Sequence, residues 1–152
     1  MKKILLSIIL FFLFSSISYA GPCLTTIASA STNQLACADD DFLNVTSAGS
    51  ITYNDHKAVD LEDETGVQIT NDGTIETEDG TNKQKAIHAH SSLNTTRTNN
   101  GTINSDNNEG IYIDYAENIT ITNNAGATIS AEGSNAIEGR NIGWCDQGGD
   151  NS

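Results

Sequence analysis

The chain has 152 residues and a formal net charge of -13, from seven Lys and Arg against twenty Asp and Glu. That balance argues against nucleic acid or an anionic membrane as partner, because both need a basic surface. Without an export segment of twenty residues and its two lysines, 132 residues remain at -15, and only 22 of them, about 17 %, are Leu, Ile, Val or Phe, a composition that by itself reads as disordered.

In chain order, Met1-Lys2-Lys3 is a short positive region and Ile4 to Phe14 is an apolar run broken only by Ser7. Ser18-Tyr19-Ala20 then sets small residues where a signal peptidase reads. Residues 1–20 are expected to be a signal peptide cleaved after Ala20, since the run falls short of the roughly 20 residues that span a bilayer. Export makes disulfides admissible. Cys23 and Cys37 enclose a short loop and are expected to pair, at about 3 kcal/mol of loop-closure benefit, which leaves Cys145 as the odd thiol. Residues 21–42 carry no repeat and are expected to form an N-terminal cap around that loop.

From residue 43 onward four related blocks follow, with glycines at Gly49, Gly73, Gly101 and Gly126 and isoleucines just after them at Ile51, Ile75, Ile103 and Ile129. The glycine spacings are 24, 28 and 25 residues. Downstream of each isoleucine a small residue and a branched one return, as Ala58-Val59, Ala86-Ile87, Gly110-Ile111 and Ala136-Ile137. Upstream, alternating pairs return as Leu43 and Val45, Val67 and Ile69, Ile119 and Ile121. Three short apolar signals per repeat, each with period-2 alternation and separated by Asn, Asp, Gly, Ser and Thr, describe three brief strands joined by turns.

Recurrence of the same side-chain type one period later is what a coil stacked on its predecessor requires. The expected fold is all-β: a right-handed parallel β-helix of about four coils over residues 43–142. Ile51, Ile75, Ile103 and Ile129 form one interior column, and Val59, Ile87, Ile111 and Ile137 form another. Asn71, Asn99 or Asn100, and Asn123 precede the glycines, where an amide side chain satisfies turn backbone and tolerates left-handed geometry, and the glycines supply positive φ. One block departs, because Thr95 and Arg97 take the slots of Val67 and Ile69. An unpaired arginine is costly inside a coil, so the expectation is an outward loop plugged by Leu93, or a local register shift tied to the 28-residue spacing.

At Ile69-Thr70-Asn71-Asp72-Gly73-Thr74-Ile75, with Ala86-Ile87 some twelve residues on, the chain resembles the passenger domains of bacterial autotransporters over about residues 43 to 140. The resemblance implies a bacterial surface-exposed or secreted module, the N-terminal part of an adhesin contacting a host or neighbouring-cell protein or glycan. It also implies a C-terminal β-barrel translocator, expected in the full-length parent and outside this chain. On that reading the full-length parent is exported to the outer-membrane surface or beyond it. This chain alone would stay periplasmic or be secreted, with residues 143–152 a disordered or truncated tail. The alternatives are a purely structural stalk fragment and a remnant of a polysaccharide-degrading β-helix enzyme.

Candidate chemistry is sparse. His88 and His90 are two apart and project from one outer face, but a metal would need further ligands. Asp60, Glu62, Asp63 and Glu64, like Asp39-Asp40-Asp41, supply oxygens without a calcium-loop pattern. Arg97 and Arg140 are the only arginines, and neither has an identifiable partner in sequence. Asn44, Asn94, Asn100 and Asn118 begin Asn-x-Ser/Thr sequons. No catalytic, cofactor-binding or metal residue is assigned, and no enzyme is expected.

Overall fold

The structure, a computed structural model, describes residues 21–78 and 84–143. The signal segment with its cleavage at Ala20, and Cys145 with the rest of the tail beyond Gly143, lie outside the described residues.

Every element among the described residues is a strand, and all pairings between strands are parallel. A short leading turn holds β1 (Gly21–Pro22), β2 (Thr25–Ile27), β3 (Ala30–Ser31) and β4 (Leu35–Ala36). Four full turns follow: β5 (Phe42–Val45), β6 (Ser50–Tyr53) and β7 (Lys57–Glu62); then β8 (Gln68–Asn71), β9 (Thr74–Thr77) and β10 (Lys85–His90). Next come β11 (Thr96–Asn99), β12 (Thr102–Ser105) and β13 (Ile111–Asp114); and last β14 (Thr120–Asn123), β15 (Thr128–Ala131) and β16 (Ile137–Arg140). Like strands of successive turns stack into three sheets: β2-β5-β8-β11-β14, β3-β6-β9-β12-β15 and β1-β4-β7-β10-β13-β16. They are called here the first, second and third sheets. The chain is a parallel β-solenoid of about four turns.

Stacking places like residues over like. Ile51 pairs with Ile75, Ile75 with Ile103 and Ile103 with Ile129 in the second sheet, while Val59, Ile87, Ile111 and Ile137 are in register in the third. The lower members of both columns are buried, each stabilising the rod by roughly 1.5 to 3 kcal/mol. Ile129 is half-buried and Ile137 is 44 % exposed, because no described strand stacks beyond β14–β16 to cover them.

One expectation gains detail and three are corrected. First, residues 21–42, without a repeat in sequence, stack on the first full turn as a shorter turn of the same solenoid: Thr25 pairs with Leu43, Ser31 with Ile51 and Leu35 with Val59. That turn also holds the Cys23–Cys37 disulfide, with a Cα–Cα distance of 4.6 Å. Secondly, Arg97 neither loops out nor shifts register. It pairs with Ile69 below and Ile121 above and is 1 % exposed, whereas Leu93 lies at a corner, 38 % exposed, bridging Thr65 and Glu117. The extra residues behind the 28-residue spacing fall between Thr77, where β9 ends, and Lys85, where β10 begins.

Thirdly, Gly49, Gly73 and Gly101 have no positive φ. A Cβ at each would overlap the carbonyl oxygen of Ile27, Gly49 or Gly73 in the turn beneath, so glycine is needed there for the close approach of stacked backbones. Only Gly126 of the four has positive φ, at 86°. Lastly, Asn71, Asn99 and Asn123 are not left-handed either. They form a ladder in which Asn71 Nδ2 donates to Asn99 Oδ1 and Asn99 Nδ2 to Asn123 Oδ1, both at 2.8 Å.

Left-handed residues concentrate at another corner, between the third sheet and the first. Asp63, Ser91 and Tyr115 have positive φ just after their strands, and Gly66, Asn94 and Asn118 have it three residues later. Each of these connections has five residues. The connections from second to third sheet vary instead, with three residues after Tyr53, seven after Thr77 and five after Ser105 and Ala131. One edge of the rod is thus uniform and the opposite connection is variable, and variable connections are where binding groups are generally carried.

Candidate functional site at the third sheet and its variable edge

In a strand, alternate side chains face outward, and parallel register stacks them across turns. On the third sheet this yields two outward rows: Asp60, His88, Tyr112 and Glu138 in one, and Glu62, His90, Asp114 and Arg140 in the other. The first and second sheets offer mainly Thr, Asn and Ser in the corresponding rows. Lys57 and Lys85 begin β7 and β10 in register with each other. The third sheet therefore gathers Lys57, Lys85 and Arg140, leaving Arg97 as the one described Lys or Arg elsewhere.

These groups interlock. Asp60 accepts both from Lys57 Nζ, at 2.9 and 3.0 Å, and lies 2.9 Å from His88 Nδ1. Burial pushes the Asp60 carboxyl up, but the His88 and Lys57 hydrogen bonds and charges outweigh it and hold the group below its ordinary value. The His88 ring stacks on His90 at 6.2 Å and on Tyr112 at 5.7 Å, and Tyr115 meets His90 edge-on. Lys85 Nζ sits 4.7 Å from the Tyr112 ring centre and the Arg140 guanidinium 5.7 Å from it, within cation–π range. Partial burial and the neighbouring Asp114 raise the Tyr112 phenol above its usual value, against the opposing charge of Arg140.

Beside Tyr112, between the outer face of the third sheet and the connections leading into it, lies a half-open cleft of about 290 Å³. Glu109 lies in it at 5 % exposure, its Oε1 accepting from Ser134 Oγ at 2.9 Å, while its buried Oε2 has no hydrogen-bond partner among the described residues. Glu138, on the same cleft, accepts from Asn135 Nδ2 at 3.1 Å and from Arg140 Nε. Those two hydrogen bonds, with a lesser contribution from the Glu109 carboxyl, hold its carboxyl low, and the Glu138 hydrogen bond and charge raise Arg140 in return. A second, more open cleft of about 410 Å³ lies at the same edge lower down, lined by Thr52, Tyr53, Asn54, Asp55 and Glu78 among others.

His88 and His90 do share an outer face, stacked on each other, but no group of three or more metal-ligating side chains occurs among the described residues. The two acidic runs meet at the uniform corner, where burial and then the carboxylates of Asp39, Asp41 and Asp63 raise Glu64. Their oxygens are partly taken by backbone, Asp39 by Thr65 N–H and Asp41 by Ala38 N–H. Arg140, unpartnered in sequence, is paired with Glu138. Of the sequon residues, Asn94 and Asn118 bond to each other, and Asn100 bonds to Asp72 and Asn124.

Sequence reasoning missed Tyr112, Tyr115, Glu109 and Ser134. The available signal was register: counting one residue past the branched column members Ile87 and Ile111 puts Tyr112 directly over His88. No described helix is long and apolar enough to cross a membrane. Comparison with protein-family models, with curated proteins and with solved structures finds no match to this chain.

Proposed function

We propose that this chain is an exported bacterial β-helix module, the N-terminal part of an autotransporter-type adhesin, which contacts a protein or glycan of a host or neighbouring cell through the outer face of the third sheet. In the parent protein a β-barrel translocator carries it to the outer surface. The observation that supports this reading is the uneven distribution of outward side chains. Stacked His and Tyr rings, the outward cations and the cleft beside them share one face, and the other two faces present mainly short polar residues. Aromatic and cationic groups are the types that concentrate binding energy, whereas a stalk has no need to segregate them.

The test is to present the purified, disulfide-intact protein to a glycan array and to host-cell surface extracts. The reading expects retention that is lost in His88→Ala/Tyr112→Ala but kept in Thr70→Ala/Thr98→Ala on the first sheet. Retention kept equally in both double variants overturns this face as the contact, and no retention at all favours the structural stalk.

A further inference from the structure

The cleft beside Tyr112 has an unmet requirement at its base. Glu109 is buried, one of its oxygens is satisfied by Ser134, and the other, also buried, accepts nothing from the described residues. Buried carboxylate oxygens are ordinarily hydrogen-bonded, and one without a donor calls for an explanation. The nearby cations do not supply it. Arg140 is committed to Glu138, and Lys85 lies over the Tyr112 ring. Glu138 comes within hydrogen-bond reach of Glu109, but as carboxylates the two have no proton between them, so the missing donor is one that enters the cleft.

The surroundings narrow its chemistry. A metal ion finds too few ligands here, and Lys85 and Arg140 line the same space. An anion is repelled at the base by Glu109, with Glu138 beside it. A neutral molecule carrying several hydroxyls meets neither objection. One hydroxyl donates to Glu109 Oε2, and others exchange hydrogen bonds with Ser134 and Asn108. The volume, about 290 Å³, lies at the lower bound of small-molecule sites, roughly 300 to 1,000 Å³, and suits one sugar ring better than an extended chain.

We propose that the cleft formed by Asn108, Glu109, Tyr112 and Ser134 is a subsite for a single neutral pyranose unit of a glycan, with Glu109 Oε2 as the acceptor for a sugar hydroxyl. It rests on the reading of this face as a contact surface and narrows that contact to glycan. Recognition falls on the rim of the variable connections, where Glu109 and Ser134 come from successive turns. An intact stack of turns is therefore needed to assemble it.

The experiment is an NMR titration of the isotope-labelled, disulfide-intact protein with methyl glycosides of glucose, galactose, mannose and N-acetylglucosamine, alongside glucuronate and lysine. The subsite expects at least one neutral glycoside to bind saturably, shifting the amides of Asn108, Glu109 and Ser134 and leaving those of the first sheet unmoved. Glu109→Ala should weaken it tenfold or more. Glu109→Gln, which keeps an acceptor, should weaken it by less, with unchanged thermal midpoints certifying both folds. Glucuronate or lysine as the only binder overturns the proposal, as do shifts elsewhere or no saturable binding by any neutral glycoside. Probing the glycan array with wild type and Glu109→Ala in parallel separates the two levels. Equal retention of both refutes the subsite and leaves the contact surface standing; a blank array and blank cell extracts remove the broader reading itself.

Discussion

Arg97 Nη1 donates to Thr95 Oγ1 at 3.1 Å inside the solenoid, and this bond is all that the described residues offer the guanidinium, whose Nε and Nη2 are buried without partners. Desolvation pulls the Arg97 pKa down from its ordinary value to about 10. A cation whose folded pKa lies below its unfolded one destabilises the fold at every pH beneath both values. The cost fades only as pH rises through and above about 10 toward the ordinary arginine value, and at neutral pH the shift corresponds to about 3 kcal/mol.

Arg97→Leu should therefore stabilise the protein by about 1 to 3 kcal/mol, since an apolar side chain suits a slot between Ile69 and Ile121. Urea unfolding at pH 7 measures it. A lowered midpoint would mean that the guanidinium has a partner the geometry does not reveal.

Gly73→Ala and Gly126→Ala should rank opposite to what backbone angles alone imply. At Gly73 φ is ordinary, yet an added Cβ overlaps the carbonyls of Gly49 and Thr46. At Gly126 φ is 86° and the Cβ meets nothing within 4 Å. The first substitution should cost upward of about 3 kcal/mol by forcing turns apart, the second about 1 kcal/mol of left-handed strain. Thermal melts of the two variants side by side decide the order.

Asn99 is the middle rung of the amide ladder, donating to Asn123 Oδ1 and to the carbonyls of Gly101 and Thr128 while accepting from Asn71. Asn99→Ala strands several buried groups and should cost about 2 to 3 kcal/mol. Asn99→Asp should cost more, because a carboxylate would face Asn123 Oδ1 and two carbonyl oxygens with no proton to give. A milder effect of Asp than of Ala, measured by chemical unfolding near pH 7, would refute the ladder's donor direction.

Asp60 adds a pH dependence. Its folded value lies below the ordinary 3.8, so its contribution is fully present above that value and is lost as pH falls through the depressed folded value. Asp60→Asn should remove that part of the acid-side loss, giving a shallower decline of melting temperature between pH 5 and pH 2 than wild type shows. Parallel slopes would refute the Lys57–Asp60–His88 coupling.

The branched columns were readable because Ile51, Ile75 and Ile103 sit two residues past a glycine with polar residues between, so period-2 alternation and the longer repeat coincide. The leading turn was not readable, since strands as short as Ala30–Ser31 and Leu35–Ala36 are too brief to show alternation. The left-handed corner was hidden for a different reason. Asp63, Ser91, Tyr115 and Asn141 hold equivalent places there with four unlike side chains, so the constraint lies in the backbone geometry and leaves no residue signature. The cleft was invisible because Glu109 and Ser134 lie 25 residues apart and meet only when two turns stack.

The seven residues between Thr77 and Lys85, against three between Tyr53 and Lys57, leave the pairings of Ile75 with Ile51 and of Ile87 with Val59 undisturbed. Lengthening such a connection costs only slowly growing closure entropy, about 0.6 kcal/mol per doubling. The rod is in this sense a loom with fixed warp and interchangeable weft: foreign peptides grafted after Glu78 should be carried on its flank without renegotiating the fold, so new recognition can be acquired by insertion alone, one turn at a time.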